Sequence, residues 1–237
     1  MVTPTFQSRC TLHRKIAEGV FEFTITKPEG FSFKAGQFIM FLVPLVEKPD
    51  DIQPRAFSIA SAPEEKELLF IVKIKEGGRA GRWMSEVLRE GTEMQLQGPF
   101  GEFLLKPGDR PLLFIATCTG MAPLRSLIVD ALGHGDTRKM DLIFGVHSEE
   151  NVFWQKELTE LAAQHPQLSL HIALTQPSAA WKGLKGRVQV IAEQVIADLK
   201  EREIFACGNP AMLKELKECC FGKWGVNPKD LHVEGYI

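Results

Sequence analysis

Residues 112–128 read LLFIATCTGMAPLRSLI, and the change of pattern inside this stretch decides the fold. Residues 112–117 form an unbroken apolar run suited to a strand covered on both faces. Pro123 follows where the first turn of a helix tolerates a missing N–H. Leu124, Leu127, Ile128, Ala131 and Leu132 then recur at helical spacing on one face. The unit of strand, loop and helix repeats downstream: residues 141–146 lead to a helix over 151–164, residues 168–175 lead through a loop to a helix over 188–199, and residues 203–207 lead to a helix over 210–221. Residues 231–234 close the series. Strands alternating with helices imply right-handed crossovers and a doubly wound parallel sheet, with its ligand site at the carboxyl ends of the strands.

Upstream, from residue 5 to about residue 105, the rhythm is different. Short β-type runs at 20–26, 37–43, 57–60 and 68–73 are broken by Gly and Pro, which predicts an antiparallel barrel or sandwich. One helix interrupts them over residues 79–89, after Gly77-Gly78, with Trp83, Met84, Val87 and Leu88 at helical spacing. The rhythm changes at Lys106-Pro107-Gly108-Asp109, so the expected domains are 1–106 and 107–237.

Of 237 residues, 28 are basic and 30 acidic, a net charge of -2, which gives no global field to steer the chain to nucleic acid or an anionic membrane. Any phosphate site must be local. The longest apolar stretch, residues 38–46, is too short to span a bilayer, and the start MVTPTFQSRC lacks the basic and apolar regions of a secretory signal. The expectation is a cytoplasmic protein with no membrane span. Cys10, Cys118, Cys207, Cys219 and Cys220 are odd in number and lack framework spacing, which argues against disulfides, an iron–sulfur cluster and any other metal site.

Motifs in a fixed order carry the functional reading. They are Arg55-Ala56-Phe57-Ser58-Ile59-Ala60-Ser61, Gly77-Gly78-Arg79-Ala80-Gly81-Arg82-Trp83-Met84-Ser85, Gly98-Pro99-Phe100-Gly101-Glu102-Phe103, Ala116-Thr117-Cys118-Thr119-Gly120-Met121-Ala122-Pro123 and Cys207-Gly208-Asn209-Pro210-Ala211-Met212. Together they resemble the ferredoxin-NADP reductase superfamily, particularly the flavin and nicotinamide portion of bacterial oxygenase reductases and cytochrome b5 reductases. The resemblance covers nearly the whole chain. It implies a two-domain β + α/β protein, an antiparallel Greek-key β-barrel that binds FAD followed by a doubly wound parallel sheet that binds NADH or NADPH as co-substrate. The implied activity is hydride transfer from NAD(P)H to FAD, with electrons passed on to an acceptor.

Carried over residue by residue, the resemblance gives Arg55 the flavin phosphate, which suits a planar guanidinium that grips oxyanions with two donors. Ser58 then stands near the flavin N5. Phe57 departs from the family's Tyr, keeping an aromatic face without the hydroxyl. Gly81, Trp83, Met84 and Ser85 belong to the turn and short helix that hold the pyrophosphate, where free N–H groups favour an anion. One such helix-end interaction contributes about 0.3–1 kcal/mol, whereas micromolar binding needs roughly 8 kcal/mol. Arg55, backbone donors, Ser85 and aromatic packing must therefore act together.

In the second half, the resemblance implies that Thr119 and Gly120 face the nucleotide pyrophosphate. Cys118 replaces the family's first Gly, so either its φ is negative or its thiol lies near the nicotinamide or flavin. The resemblance sets Cys207 beside the nicotinamide C4 and makes Gly208 part of the same cofactor-binding motif. It also makes Glu234 a candidate proton or charge partner near the flavin and nicotinamide, and Tyr236, the single tyrosine, a candidate gate that nicotinamide must displace. Gln176 stands where NADP-preferring members often carry Arg, and Glu149 and Glu150 repel a phosphate, so the lean is to NADH. Lys182, Lys185 and Arg187 remain a possible phosphate site.

The C-x4-C-x2-C spacing of plant-type ferredoxins is absent, so the acceptor is expected to be a separate molecule: a ferredoxin, another iron–sulfur protein, a haem protein, an oxygenase component or a small acceptor such as free flavin. Two alternatives stand beside this reading, a reductase of free flavins and an electron-transfer subunit inactive alone.

Overall fold

The computed structural model describes residues 3–74 and 78–236. They fall into two units, Met1–Leu105 with Arg125–Asp130, and Lys106–Leu124 with Ala131–Ile237. Gly77, part of the glycine cluster singled out above, and the terminal Ile237 lie outside the described residues.

The first unit carries β1 (Thr5–Ala17), β2 (Val20–Thr26), β3 (Phe38–Leu45), β4 (Lys48–Ser58), β5 (Glu67–Lys73), the helix α1 (Arg79–Glu86) and β6 (Glu93–Phe100). The sheet order is β4-β3-β6-β1-β2-β5, with every pair antiparallel. Insertion of β6 between β3 and β1 gives the expected Greek-key arrangement. The core is aromatic: Phe23 stacks on Phe70 at 5.1 Å between centroids, and Phe41 meets Phe57 edge-on at 5.4 Å. Each such pair contributes about 0.5–1.5 kcal/mol beyond its buried area. Trp83 and Met84 of α1 enter the same core.

Of the strand expected over 57–60, Phe57 and Ser58 are the end of a longer one, β4, and residues 59–60 lie beyond it. Its earlier residues include Pro49 and Pro54, which mask the β pattern in sequence. β4 lies at the sheet edge, where a missing N–H breaks no ladder on the open side.

The second unit carries β7 (Leu112–Thr117), α2 (Met121–Gly133, whose residues Arg125–Asp130 group with the first unit), β8 (Met140–Val146), α3 (Gln155–Gln164) and β9 (Leu168–Leu174). After these come β10 (Leu184–Lys185), α4 (Val188–Val195), β11 (Glu203–Gly208), α5 (Pro210–Cys219) and β12 (Leu231–Gly235). All strands pair in parallel in the order β10-β9-β8-β7-β11-β12. The chain thus grows outward from β7 through β8, β9 and β10, then returns to the other side of β7 with β11 and β12. That reversal places the topological switch point between β7 and β11.

Helix ends differ from the sequence expectation for local reasons. α3 begins at Gln155 rather than Asn151, because residues Glu149–Asn151 form a separate 3-10 turn and Trp154 takes φ 54°. The turn is closed by Asn151 Oδ1, which accepts from Ser148 N at 3.2 Å and from Ser148 Oγ at 3.0 Å. α4 stops at Val195 because Ile196 is extended. α5 passes at Cys220 into a wider π turn ended by Gly225, φ 67°.

Candidate cofactor and nucleotide sites

In the first unit, β4 carries Arg55, Phe57 and Ser58 in one strand. Arg55 is half-buried, and its guanidinium donates to Pro54 O at 2.9 Å and Gln53 Oε1 at 2.8 Å. Both acceptors are neutral, and no carboxylate pairs with Arg55 among the described residues, so its charge is available to an anion. Ser58 is buried at the strand end, opposite Phe38 in register. The Phe57 ring points into the core and is 9% exposed.

The start of α1 has no side-chain cap, leaving its first N–H groups for an incoming acceptor. Arg79 Nη1 donates to Asp51 O at 2.5 Å, and Arg82 pairs with Glu86 at 3.1 Å and with Glu47. Gly81 is buried. Trp83 and Met84 spend their side chains on the core, so toward a ligand they offer backbone only. Ser85 Oγ donates to its own helix at Gly81 O, 3.0 Å, and must rotate to meet a phosphate. A cation with neutral partners and an uncapped helix start, both in the first unit, each suit the pyrophosphate of FAD.

In the second unit the loops after β7 and β11, either side of the switch point, lock together. A Cβ on Gly120 would collide with Cys207 O, and one on Gly208, at φ 149°, with Thr117 Oγ1. Asn209 N donates to Thr117 Oγ1 at 3.1 Å, while Asn209 Oδ1 caps α5 by accepting from Ala211 N at 2.7 Å. Cys118 takes φ 50°, which removes the negative-φ alternative: it adopts the left-handed conformation that Gly would occupy freely. Thr117 carries no role in the sequence reading. Its signal was a hydroxyl at the carboxyl end of an apolar strand.

Cys207, Glu234 and Tyr236 meet at the ends of β11 and β12. Cys207 is fully buried and pairs with Glu234 in register. Burial pushes its thiol up to about 12, Glu234 adds to the rise, and the Tyr236 hydroxyl opposes it by hydrogen bonding. Tyr236 also donates to Thr119 O at 3.1 Å. The thiol is therefore neutral across physiological pH.

Beyond the ends of β8 and β9 lies a groove of about 530 Å³ lined by Ser148, Glu149, Glu150, Ser178, Ala180, Trp181 and Lys182. Glu149 Oε1 accepts from Ser178 N at 2.9 Å and Ser178 Oγ at 2.6 Å. The Ser178 hydroxyl leads the contacts that hold Glu149 below the usual carboxylate range, so it stays anionic.

Residues 11–104 match the family model described as an oxidoreductase FAD-binding domain, and residues 114–218 match the oxidoreductase NAD-binding domain. Ferredoxin–NADP reductase B of Sorangium cellulosum (strain So ce56) is 31% identical over 240 residues, covering 98% of this chain and 97% of that protein. The chain belongs to the ferredoxin-NADP reductase superfamily. The reductase is also 31% identical over 214 residues to the reductase component of the naphthalene 1,2-dioxygenase system of Pseudomonas putida, where the match covers 90% of this chain and 62% of the relative. Among solved structures, a ferredoxin NADP+ reductase from Neisseria gonorrhoeae with bound FAD and NADP superposes with TM-score 0.84 at 19% identity, covering 98% of both chains. The reductase fold is thus that of an FAD- and NAD(P)-dependent flavoprotein oxidoreductase, in which electrons pass from NAD(P)H through FAD to an acceptor.

Proposed function

We propose that this reductase oxidises NADH in preference to NADPH and delivers the electrons to a separate iron–sulfur or haem protein, a ferredoxin or the partner component of an oxygenase. The names of the Sorangium and Pseudomonas relatives support that acceptor class. FAD, when bound, supplies a centre that takes hydride and releases electrons singly. Residues 1–106 hold it and residues 107–237 hold the nucleotide.

Arg55 neutralises the flavin phosphate, the uncapped start of α1 with Gly81 to Ser85 donates to the pyrophosphate, and Ser58 presents a buried hydroxyl to the flavin N5. Thr119 and Gly120 bring backbone donors to the nucleotide pyrophosphate. Cys207, uncharged because burial raises it to about 12, positions the nicotinamide by shape and as a neutral group. It does not act as a thiolate nucleophile. Tyr236, tethered to Thr119 O, is the group the nicotinamide displaces, and Glu234 is the neighbouring charge.

The preference for NADH rests on Glu149. Its carboxylate is held anionic in the groove beyond β8 and β9, where it accepts a ribose hydroxyl and repels a 2'-phosphate. The five cysteines are unpaired, which supports a reducing, cytoplasmic setting. No described helix is long and apolar enough to cross a membrane.

The observation that carries the flavin assignment is Arg55, a cation whose partners among the described residues are neutral. Arg55→Ala is expected to give folded protein that has lost FAD after gel filtration. A charge-assisted hydrogen bond contributes about 1.5–3 kcal/mol, or roughly 10- to 150-fold in affinity. Full retention of FAD refutes the assignment.

A further inference from the structure

Arg125 is 8% exposed, on a helix whose neighbouring residues Leu124, Leu127 and Ile128 are apolar and buried. A cation in such a place is costly unless its donors are used, and a leucine would fill the space at lower cost. Arg125 spends its donors on one short segment of the first unit, with which Arg125–Asp130 group. Nη1 donates to Ala60 O at 2.8 Å and to Glu65 Oε2 at 2.9 Å, and Nη2 donates to Glu65 Oε1 at 3.2 Å. Glu65 Oε2 also accepts from Ala62 N at 2.6 Å. The adjacent Ser126 donates its hydroxyl to Ser61 O at 2.7 Å.

The opposite side of the segment is held equally well. Ile59 N donates to Gln37 O at 3.0 Å, Ala60 N to Leu69 O at 2.8 Å, and Leu69 N to Ser61 Oγ at 3.1 Å. The chain that runs on from Ser58 is therefore fixed from both sides. The Arg125–Glu65 pair is the charged part of that hold, and charged, two-pronged contacts fix geometry most tightly.

We infer that Arg125 is a positioning residue for the flavin: by gripping Ala60 O and Glu65 it sets the end of β4 and with it the Ser58 hydroxyl. This rests on the reading of Ser58 as a flavin contact. A purely structural ion pair would alter stability and leave the flavin's environment unchanged, and the two roles separate experimentally. The full chain, stripped of flavin, is titrated with FAD, and the dissociation constant and visible spectrum of the complex are recorded for Arg125→Ala, Arg125→Lys, Ser58→Ala and Ile71→Val. Ile71 is a buried β5 residue outside the proposed site, and its variant controls for lost stability alone.

Arg125→Ala is expected to bind FAD about tenfold more weakly, close to 1.4 kcal/mol, and to shift the visible band in the same direction as Ser58→Ala. Arg125→Lys keeps the charge but cannot engage Ala60 O and both Glu65 oxygens together; it should fall between Arg125→Ala and the parent, and it carries the test alone if the alanine variant fails to fold. Ile71→Val should melt earlier with unchanged FAD affinity and spectrum. Unaltered affinity and spectrum in both Arg125 variants, while Ser58→Ala changes them, overturns the inference and leaves the flavin reading standing. An unchanged Ser58→Ala complex overturns the flavin reading itself, and the inference with it.

Discussion

Cys118 occupies the turn between β7 and α2 with φ 50°, a region that costs a residue with a Cβ of order 1–3 kcal/mol and glycine nothing. Glycine offsets part of that advantage by its greater freedom when unfolded, about 0.5–1 kcal/mol. Cys118→Gly should therefore be neutral to mildly stabilising, whereas Cys118→Val, whose branched Cβ suits this region worse, should lose more than 1 kcal/mol in denaturant titration. Equal losses in both variants would show that the thiol itself, and not the backbone, sets the energetics there. At this scale the sequence was informative about residue type and weak about orientation. Arg55, Ser58 and Cys207 could be picked from their motifs. That Trp83 and Phe57 bury their rings in the barrel core, and that Arg125 reaches Glu65 and Ala60, depends on contacts between residues far apart in the chain.

The loops after β7 and β11 act as one element because each leaves the other no room. Gly120→Ala would drive a methyl group into the Cys207 carbonyl, and neither partner is the flexible end of a side chain. The expected result is a loss of about 2 kcal/mol or more in stability, together with a slower reduction by NADH, since the displaced carbonyl belongs to the residue proposed to seat the nicotinamide. A variant with unchanged melting temperature and rate would contradict the interlock. Elements with strong periodicity were legible in sequence: β2 and β7 occupy the expected residues. The elements that escaped are those where local chemistry opposes the final structure. β4 hides two prolines that only an edge strand tolerates, and the start of α3 is delayed by the left-handed Trp154 and the Ser148–Asn151 turn.

At the scale of the second unit, stability draws on a charged cluster around the buried Asp141 of β8. Arg202, fully buried, donates to Asp141 Oδ2 at 2.7 Å, and His171 Nε2 lies 3.1 Å from Asp141 Oδ1. Burial pushes Asp141 up, but the His171 hydrogen bond and the Arg202 charge outweigh it and hold the group below the usual carboxylate range. A depressed folded pKa stabilises above the unfolded value, near 3.9, and that contribution is lost as pH falls through the folded value. The protein should thus lose stability below about pH 4, and Asp141→Asn, which removes one of the two carboxylates paired with Arg202 and leaves Asp198, should cost about 1–3 kcal/mol at neutral pH and flatten the acid limb. An acid limb in Asp141→Asn identical to that of the parent would rule the cluster out.

The fold class of both units was readable from the change of rhythm near residue 106, because period-2 runs and strand–helix alternation are properties of local sequence. The charged cluster was not, because its members lie on separate strands and loops that only the sheet brings together.

The central claim, a flavoprotein that takes hydride from a nicotinamide nucleotide and prefers NADH, is tested most directly by anaerobic stopped-flow. The purified protein, reconstituted with FAD, is mixed with NADH and separately with NADPH while its visible absorption is followed. Fast bleaching by NADH, with NADPH slower at equal concentration, is the predicted result; protein that retains no FAD, or whose FAD neither nucleotide reduces, would contradict it.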